Sequence, residues 1–282
     1  AAAEALAVMS VDEKKLLLGP DRPIVLLERK KDIPIAEELT GDNPLIGLFL
    51  PYTPLHHILL RETALPLVMT SGNISDEPMA RDNEEALERL QGIADLYLMH
   101  NRAIETRGDD SVARVIAGAP TIIRRSRGSV PGGVGVGRPF AEPVLACGAH
   151  LKNAICIGAG DSAFLGPHIG DLESVSTLRA FEASVEQMKR FVGVEPAVVA
   201  HDLHPDYFST RYAQSLSGVR VIGVQHHHAH IVSAMAEHGL RGPVLGFAYD
   251  GTGYGTDGTS WGGEDLLADE GRFERVATFR PI

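Results

Sequence analysis

Residues 224–230 read VQHHHAH, and residues 248–258 read AYDGTGYGTDG. His226 and His230 are four positions apart. On a helix that spacing puts both imidazoles on one face, about 6 Å apart at Cβ, within reach of one metal ion at about 2.1 Å from each nitrogen. Asp250 follows the apolar run VLGFAY and would bring a carboxylate to the same rim. Two imidazoles and a carboxylate form a donor set suited to Fe, Mn, Zn or Mg. His227 and His228 are turned about 100° per residue away from His226 and are expected outside the ligand set. Gly251, Thr252 and Gly253 follow the aspartate. Glycines there allow a phosphate to approach the backbone and meet its N–H groups. A helix with solvated histidines and a plain glycine-rich hairpin would use the same residues.

The elements that must position these groups can be traced along the chain. VRVIGV precedes the histidines as a strand, and HHHAHIVSAMAEHG continues as a helix, so the imidazoles stand at a strand's C-terminal end, where sites in open α/β sheets gather. Upstream, VLACGA, NAICIGAG and SAFLGPHIG form three short strands, with turns at 148–153 and 160–161. A long helix follows in STLRAFEASVEQMKRFVG, with Phe181, Val185, Met188 and Val192 at helical spacing. Then come strand PAVVAHD and helix DYFSTRYAQSL, and a second sheet begins at PVLGFAYDG. The order βββαβαβα fits a ribonuclease-H-like core.

The first half is also mixed α/β. PIVLLER, LPLVMTS, ADLYLMHN, DDSVARVIAG and PTIIRRSRG are expected as strands. TPLHHILLRE is expected as a helix opened by Pro54 after Thr53, and RDNEEALERL as a second helix capped by Asp82 or Asn83. GSVPGGVGVGRP, residues 128–139, holds five glycines and two prolines. That density predicts an irregular linker, and hence domains at 1–128 and 141–282 joined by 129–140.

The chain has 282 residues, 44% of them hydrophobic, and a formal net charge of −11. This is enough for two domains with cores. Up to residue 140 there are 16 basic and 20 acidic residues, and 10 and 17 thereafter. Neither half suits nucleic-acid binding. The local exception is RRSRG, with Arg124, Arg125 and Arg127. Cys147 and Cys156 form no disulfide framework, which fits a reducing cytoplasm. No apolar run is long enough to span a membrane. The absence of an initiator Met and the strand-like end FERVATFRPI suggest a piece of a longer protein.

The blocks GAHLKNAICI, HIGDLES, DLHPDY, VQHHHAH and DGTGYGTDGTSWGGE resemble the ASKHA-type carbamoyltransferase domain of the HypF family, which serves nickel–iron hydrogenase maturation. LPYTPLHHILL, LVMTSGNISDEP and RRSRG resemble a YrdC-type domain, the unit that precedes it in that family. The resemblance covers nearly every residue and implies an α/β fold: an α+β YrdC-like domain, then a ribonuclease-H-like domain, each partial. It implies a carbamoyltransferase that uses carbamoyl phosphate, ATP and Mg²⁺, with a further divalent ion (Zn or Fe) at the His/His/Asp site. Carbamoyl adenylate would form in the first domain. The second would transfer the carbamoyl group to the C-terminal cysteine of a HypE-like partner, with no nucleic acid or membrane involved.

The resemblance carries roles to single residues. Ser71, Asn73 and Arg127 match the nucleotide site, and Gly251, Thr252 and Gly253 the phosphate loop; His226, His230 and Asp250 match the metal ligands. Lys152, His168, Asp171 and Asp206 are assigned to substrate, although the two aspartates equally suit helix N-caps. Asp109 and Asp110 suit either Mg²⁺ or a turn. Rival readings are a tRNA threonylcarbamoyl-transfer enzyme, an antibiotic O-carbamoyltransferase and a non-catalytic nucleotide-binding module. The first usually has glutamate where His228 stands, and the second carries the two domains in the opposite order.

Overall fold

The computed structural model describes residues 2–74 and 77–279. They form two compact units, one from residues 2–74 and 79–130 and the other from residues 77–78 and 131–279.

The first unit comprises α1 (Ala2–Leu6), β1 (Ala7–Val8), α2 (Val11–Leu18), β2 (Ile24–Arg29), a 3₁₀ turn at Glu37–Leu39, β3 (Leu45–Leu48), α3 (Pro54–Thr63), α4 (Asn83–Arg89), β4 (Val112–Ile116) and β5 (Ala119–Arg124). β2 is the hub of its sheet: β1 and β3 pair with it antiparallel and β4 parallel, while β5 pairs antiparallel with β4. Ala7, Leu17, Val25, Leu27 and Ile46 make the core. The Thr53 hydroxyl accepts from the His56 N–H, so α3 begins where the Thr-Pro signal predicts.

Two expected strands do not form. LPLVMTS and ADLYLMHN are extended or irregular and join no ladder. Val68 is 71% exposed and Leu96 90%. β-propensity reflects a side chain's fit to a half-buried pleated surface, and among the described residues no strand pairs with either segment.

The second unit comprises β6 (Gly133–Gly135), β7 (Val144–Ala146), β8 (Cys156–Ala159), β9 (Ser162–Leu165), α5 (Val175–Val192), β10 (Val198–Asp202), α6 (Phe208–Ser215), β11 (Arg220–Val224), α7 (His226–Glu237), β12 (Val244–Tyr254), β13 (Ser260–Ala268) and β14 (Phe273–Thr278). Its larger sheet has the order β11-β10-β7-β8-β9-β6. β7, β8 and β9 are antiparallel neighbours, and β10 and β11 run parallel with β7. This is the ribonuclease-H-like arrangement expected from the element order. β12, β13 and β14 form the second, antiparallel sheet.

β6 corrects the expectation that residues 128–139 hold no regular strand. Gly133–Gly135 pairs antiparallel with β9 at the sheet edge. A Cβ on Gly133 would lie 2.9 Å from the Phe164 ring, so at this position glycine permits the pairing.

α5 opens on a capping box between Ser174 and Thr177 and closes on Gly193, whose φ of 73° is left-handed. It buries Phe181, Val185 and Met188 against Leu145, Ile155, Ile157 and Val199. Ile231 and Met235 of α7 pack with Ala248, Trp261 and Leu266. α7 therefore sits on the second sheet while its N-terminus adjoins the end of β11.

Phe181 is fully buried, edge-on to Phe208 and Tyr212 with centroids 5.7 and 5.0 Å away. Phe181→Ala should lower unfolding stability by about 3–5 kcal/mol, measured by urea denaturation with a tryptophan readout. Loss below about 1 kcal/mol would contradict its place at the centre of the core.

Candidate metal centre

Three elements of the second unit deliver the site. β10 and β11 are parallel, with Asp202 registered against Val224. The strand ends therefore set Asp202 beside the start of α7. Gln225 caps that helix, its side-chain oxygen accepting from the His228 N–H at 2.9 Å. His226 and His230 share one face, with ring centroids 4.8 Å apart. β12 supplies Asp250 through an irregularity. Tyr249 pairs with Gly263 and Gly253 with Trp261, so Asp250, Gly251 and Thr252 stand opposite Gly262 alone. Such a bulge re-aims the side chains it carries.

The result is a tight triangle. Asp250 Oδ2 lies 2.9 Å from His226 Nε2 and 3.2 Å from His230 Nε2, and the two nitrogens are 3.2 Å apart. Ligands at about 2.1 Å from one ion stand about 3.0 Å apart at right angles and about 3.4 Å apart at tetrahedral angles. The triangle thus fits one ion held on one face, leaving other coordination positions open. His230 is an exposed member, with 55% of its side chain accessible, so the open side faces solvent.

Hydrogen bonds orient the ligands. Asp202 is buried; its Oδ1 accepts from the His204 N–H at 2.8 Å and its Oδ2 lies 2.7 Å from His226 Nδ1. A carboxylate can only accept, so Nδ1 carries a proton, and with an ion bound Nε2 is the nitrogen that would offer its lone pair. The hydrogen bond to Asp202 raises the His226 pKa, against the effect of burial and with help from the Asp202 and Asp250 charges. Burial lowers the pKa of His230, and the His226 charge lowers it further.

His227 lies outside the ligand triangle, as its helical position predicts, yet it touches one of the ligands from behind. Its ring is fully buried and Nε2 lies 2.7 Å from Asp250 Oδ1. The 100° turn that takes it off the ligand face aims it at the sheet carrying Asp250. His228 is buried too, 2.8 Å from the Asp269 carbonyl. Asp202 escaped the sequence reading; its place at the end of the strand run PAVVAHD was the one signal the sequence offered.

The glycine-rich stretch is a bulged hairpin arm. Thr252 Oγ1 meets Ser260 Oγ at 2.7 Å across the hairpin. A Cβ on Gly253 would stand 2.6 Å from the His227 ring, so Gly253 serves close packing. Gly251 has a φ of 95° and open space where a Cβ would point.

Asp171 Oδ1 accepts from the Lys152 N–H at 2.6 Å and steadies a turn where Lys152 has a φ of 47°; the Lys152 side chain is exposed. Ser174 caps α5, so Asp171 is not its N-cap. Asp206 is exposed and pairs with Arg211 at 3.0 Å, and it does not cap α6. His168 follows β9 and is half-buried. Tyr207 is sandwiched between His150 and His204, with centroids 5.2 and 4.1 Å away. Burial raises its pKa, as do the Asp202 and Asp250 charges.

In the first unit, Arg127 is firmly held. It meets Asp110 at 2.5 Å and the Arg22 carbonyl at 2.8 Å, and its guanidinium lies 3.5 Å from the Tyr52 ring centroid. Asp109 pairs with Arg124 at 3.3 Å, so both aspartates considered for Mg²⁺ already face a cation. Ser71 and Asn73 form a tight turn in which the Asn73 N–H donates to the Ser71 carbonyl at 3.1 Å.

Family models match along nearly the whole chain. The Sua5/YciO/YrdC model, described as telomere recombination, matches residues 2–126. A HypF Kae1-like domain matches 140–237, and the second subdomain of a carbamoyltransferase Kae1-like domain matches 246–282. The carbamoyltransferase HypF of Synechocystis sp. is 44% identical over 271 residues, covering 96% of this chain and 35% of that protein. That of Rhizobium leguminosarum bv. viciae is 43% identical, covering 100% and 38%. The chain thus spans little more than a third of these curated relatives. Among solved structures, full-length HypF in a phosphate- and nucleotide-bound form superposes with a TM-score of 0.91 at 47% identity, covering 97% of this chain and 43% of that one. HypF of T. kodakarensis gives 0.89 at 39%, covering 98% and 36%.

His226→Ala, His230→Ala and Asp250→Ala should each weaken Zn²⁺ or Co²⁺ binding steeply, since few protein ligands remain. Protons compete for His226, so affinity in the parent chain should rise with pH through and above the usual imidazole range. Asp202→Asn removes the main cause of the raised His226 pKa and should move that profile to lower pH. Competition titrations across pH measure both. An unmoved profile would contradict the role given to Asp202.

Proposed function

The chain belongs to the HypF family of carbamoyltransferases, and on that premise we propose that it carries parts of two modules of such an enzyme, a YrdC-like unit that activates carbamate and a Kae1-like unit that transfers it. Carbamoyl phosphate would supply the carbamate. Its oxygen attacks the α-phosphorus of Mg²⁺-bound ATP, and the bond to pyrophosphate breaks. The thiolate of a HypE-like C-terminal cysteine then attacks the carbamoyl carbon, forming the C–S bond as the C–O bond to AMP breaks. A thiolate suits that step at neutral pH, and exclusion of water protects the mixed anhydride.

The observation that carries this reading is the triangle of His226, His230 and Asp250 at the strand ends of a ribonuclease-H-like unit. A divalent ion there, Zn or Fe, would polarise a phosphoryl or carbonyl oxygen. Asp202 holds His226 in the tautomer that leaves Nε2 available. Gly251 leaves open space where a phosphate could approach the bulge, with Thr252 and Gly253 beside it. Lys152 offers an exposed ammonium on the turn steadied by Asp171, and His168 and Asp206 line segments that follow β9 and β10. We assign these four to substrate positioning. In the first unit, Ser71, Asn73 and Arg127 would meet the nucleotide. Both cysteines are free thiols, Cys147 buried and Cys156 half-buried, pushed up to about 12 and about 11 by desolvation; free thiols fit a cytoplasmic enzyme.

The test uses Asp250→Asn in an enzyme of full HypF length carrying this chain. Carbamoyl-phosphate-dependent pyrophosphate–ATP exchange should persist, while single-turnover transfer to a cysteine-terminated acceptor falls by at least about 100-fold. Arg127→Ala should do the reverse at the first step, abolishing exchange while Zn²⁺ content stays unchanged. Normal transfer by the first variant or normal exchange by the second would overturn the assignment.

A further inference from the structure

A chain of hydrogen bonds runs from the helix cap to the site carboxylate. Gln225 is buried, and its carboxamide has a determined orientation. Oε1 must be the atom that faces the His228 N–H at 2.9 Å, because that backbone group only donates. The amide NH₂ therefore faces the other way, 3.2 Å from His227 Nδ1 and 3.3 Å from the Tyr254 carbonyl. A carbonyl only accepts, which agrees with an NH₂ there. Since the amide nitrogen has no lone pair to offer, His227 Nδ1 must be the unprotonated acceptor. The single ring proton then sits on Nε2, pointing at Asp250 Oδ1 2.7 Å away. His227 is wholly buried, and Gly253 lies so close that a Cβ there would stand 2.6 Å from its Cε1. A flipped ring would put carbons where Nδ1 and Nε2 now meet Gln225 and Asp250, and would lose both contacts.

We propose that Gln225 and His227 are positioning residues: the helix N-cap sets the tautomer of His227, and that tautomer holds Asp250 by Oδ1 so that Oδ2 faces His226 and His230. The inference rests on the reading of those three side chains as metal ligands. It differs from a packing role for a buried ring, because it requires a particular proton on a particular nitrogen. Asp250 sits on a bulge of β12 outside the regular ladder, so the His227 bond supplies an orienting constraint on its carboxylate beyond the ion itself.

The test combines two readouts on the 282-residue chain. In ¹⁵N-correlated NMR of histidine-labelled, metal-free protein, His227 should give the Nε2–H signature. Gln225→Glu keeps an acceptor for the His228 N–H but puts a second acceptor against Nδ1, so the signature should change to a protonated Nδ1. Zn²⁺ affinity should fall about 10–100-fold in that variant, the range found when partners of metal ligands are removed. His227→Leu preserves buried apolar bulk and removes the donor; it should lose a similar factor, whereas His227→Gln, which can still present an N–H toward Asp250, should recover most of it. If Leu and Gln bind Zn²⁺ as tightly as the parent, or if the parent's His227 shows an Nδ1–H signature, the inference is overturned. If the parent binds neither Zn²⁺ nor Co²⁺, the metal reading fails, while the NMR tautomer still decides whether Gln225 sets the proton on His227.

Discussion

The two oxygens of the Asp250 carboxylate have separate partners, and the site depends on that division. Oδ1 is taken by His227 from the buried side, and Oδ2 faces His226 and His230 from the open side. An aspartate gripped at neither oxygen would swing with its rotamers. One gripped at Oδ1 alone keeps the other oxygen aimed at the imidazoles. The neighbouring Asp202 repeats the logic, with one oxygen on the His204 backbone and the other on His226. Each partner outside the triangle thus leaves one atom available within it.

The fold brings these carboxylates together from separate elements. Parallel pairing of β10 and β11 sets Asp202 beside the N-terminus of α7, and the packing of Ile231 and Met235 on the second sheet sets that helix against β12. Close approach there needs glycine at 253, since a methyl group would meet the His227 ring. A stretch whose composition suggests a phosphate loop therefore answers in part to steric demands. Open space remains at Gly251, where the positive φ of the bulge also favours glycine.

Much of this was legible in the sequence. The His-x-x-x-His spacing, the strand before it and the aspartate after VLGFAY identified the triangle, because helical periodicity and strand-end position are local properties. The βββαβαβα order likewise specified the larger sheet of the second unit. What escaped depends on contacts distant in sequence. His227 looks idle by helical geometry alone, and its contact with Asp250 arises only from the packing of β12. Asp202 appears as one more polar residue until its strand register is known. LPLVMTS and ADLYLMHN carry strand composition without forming strands, since composition does not supply a pairing edge. The glycines of 132–137 suggest an irregular linker, yet Gly133–Gly135 is an edge strand in which one glycine makes room for Phe164.

The central claim is that two imidazoles and one carboxylate bind one ion, with His227 and both cysteines outside the ligand set. X-ray absorption spectroscopy on the Zn²⁺- or Co²⁺-loaded chain tests it most directly, because the outer-shell scattering counts imidazoles and the first shell separates oxygen and nitrogen from sulfur. The account predicts two imidazoles with oxygen donors completing the shell, and one imidazole fewer in His230→Ala. Three imidazoles, or any sulfur at about 2.3 Å, would contradict it.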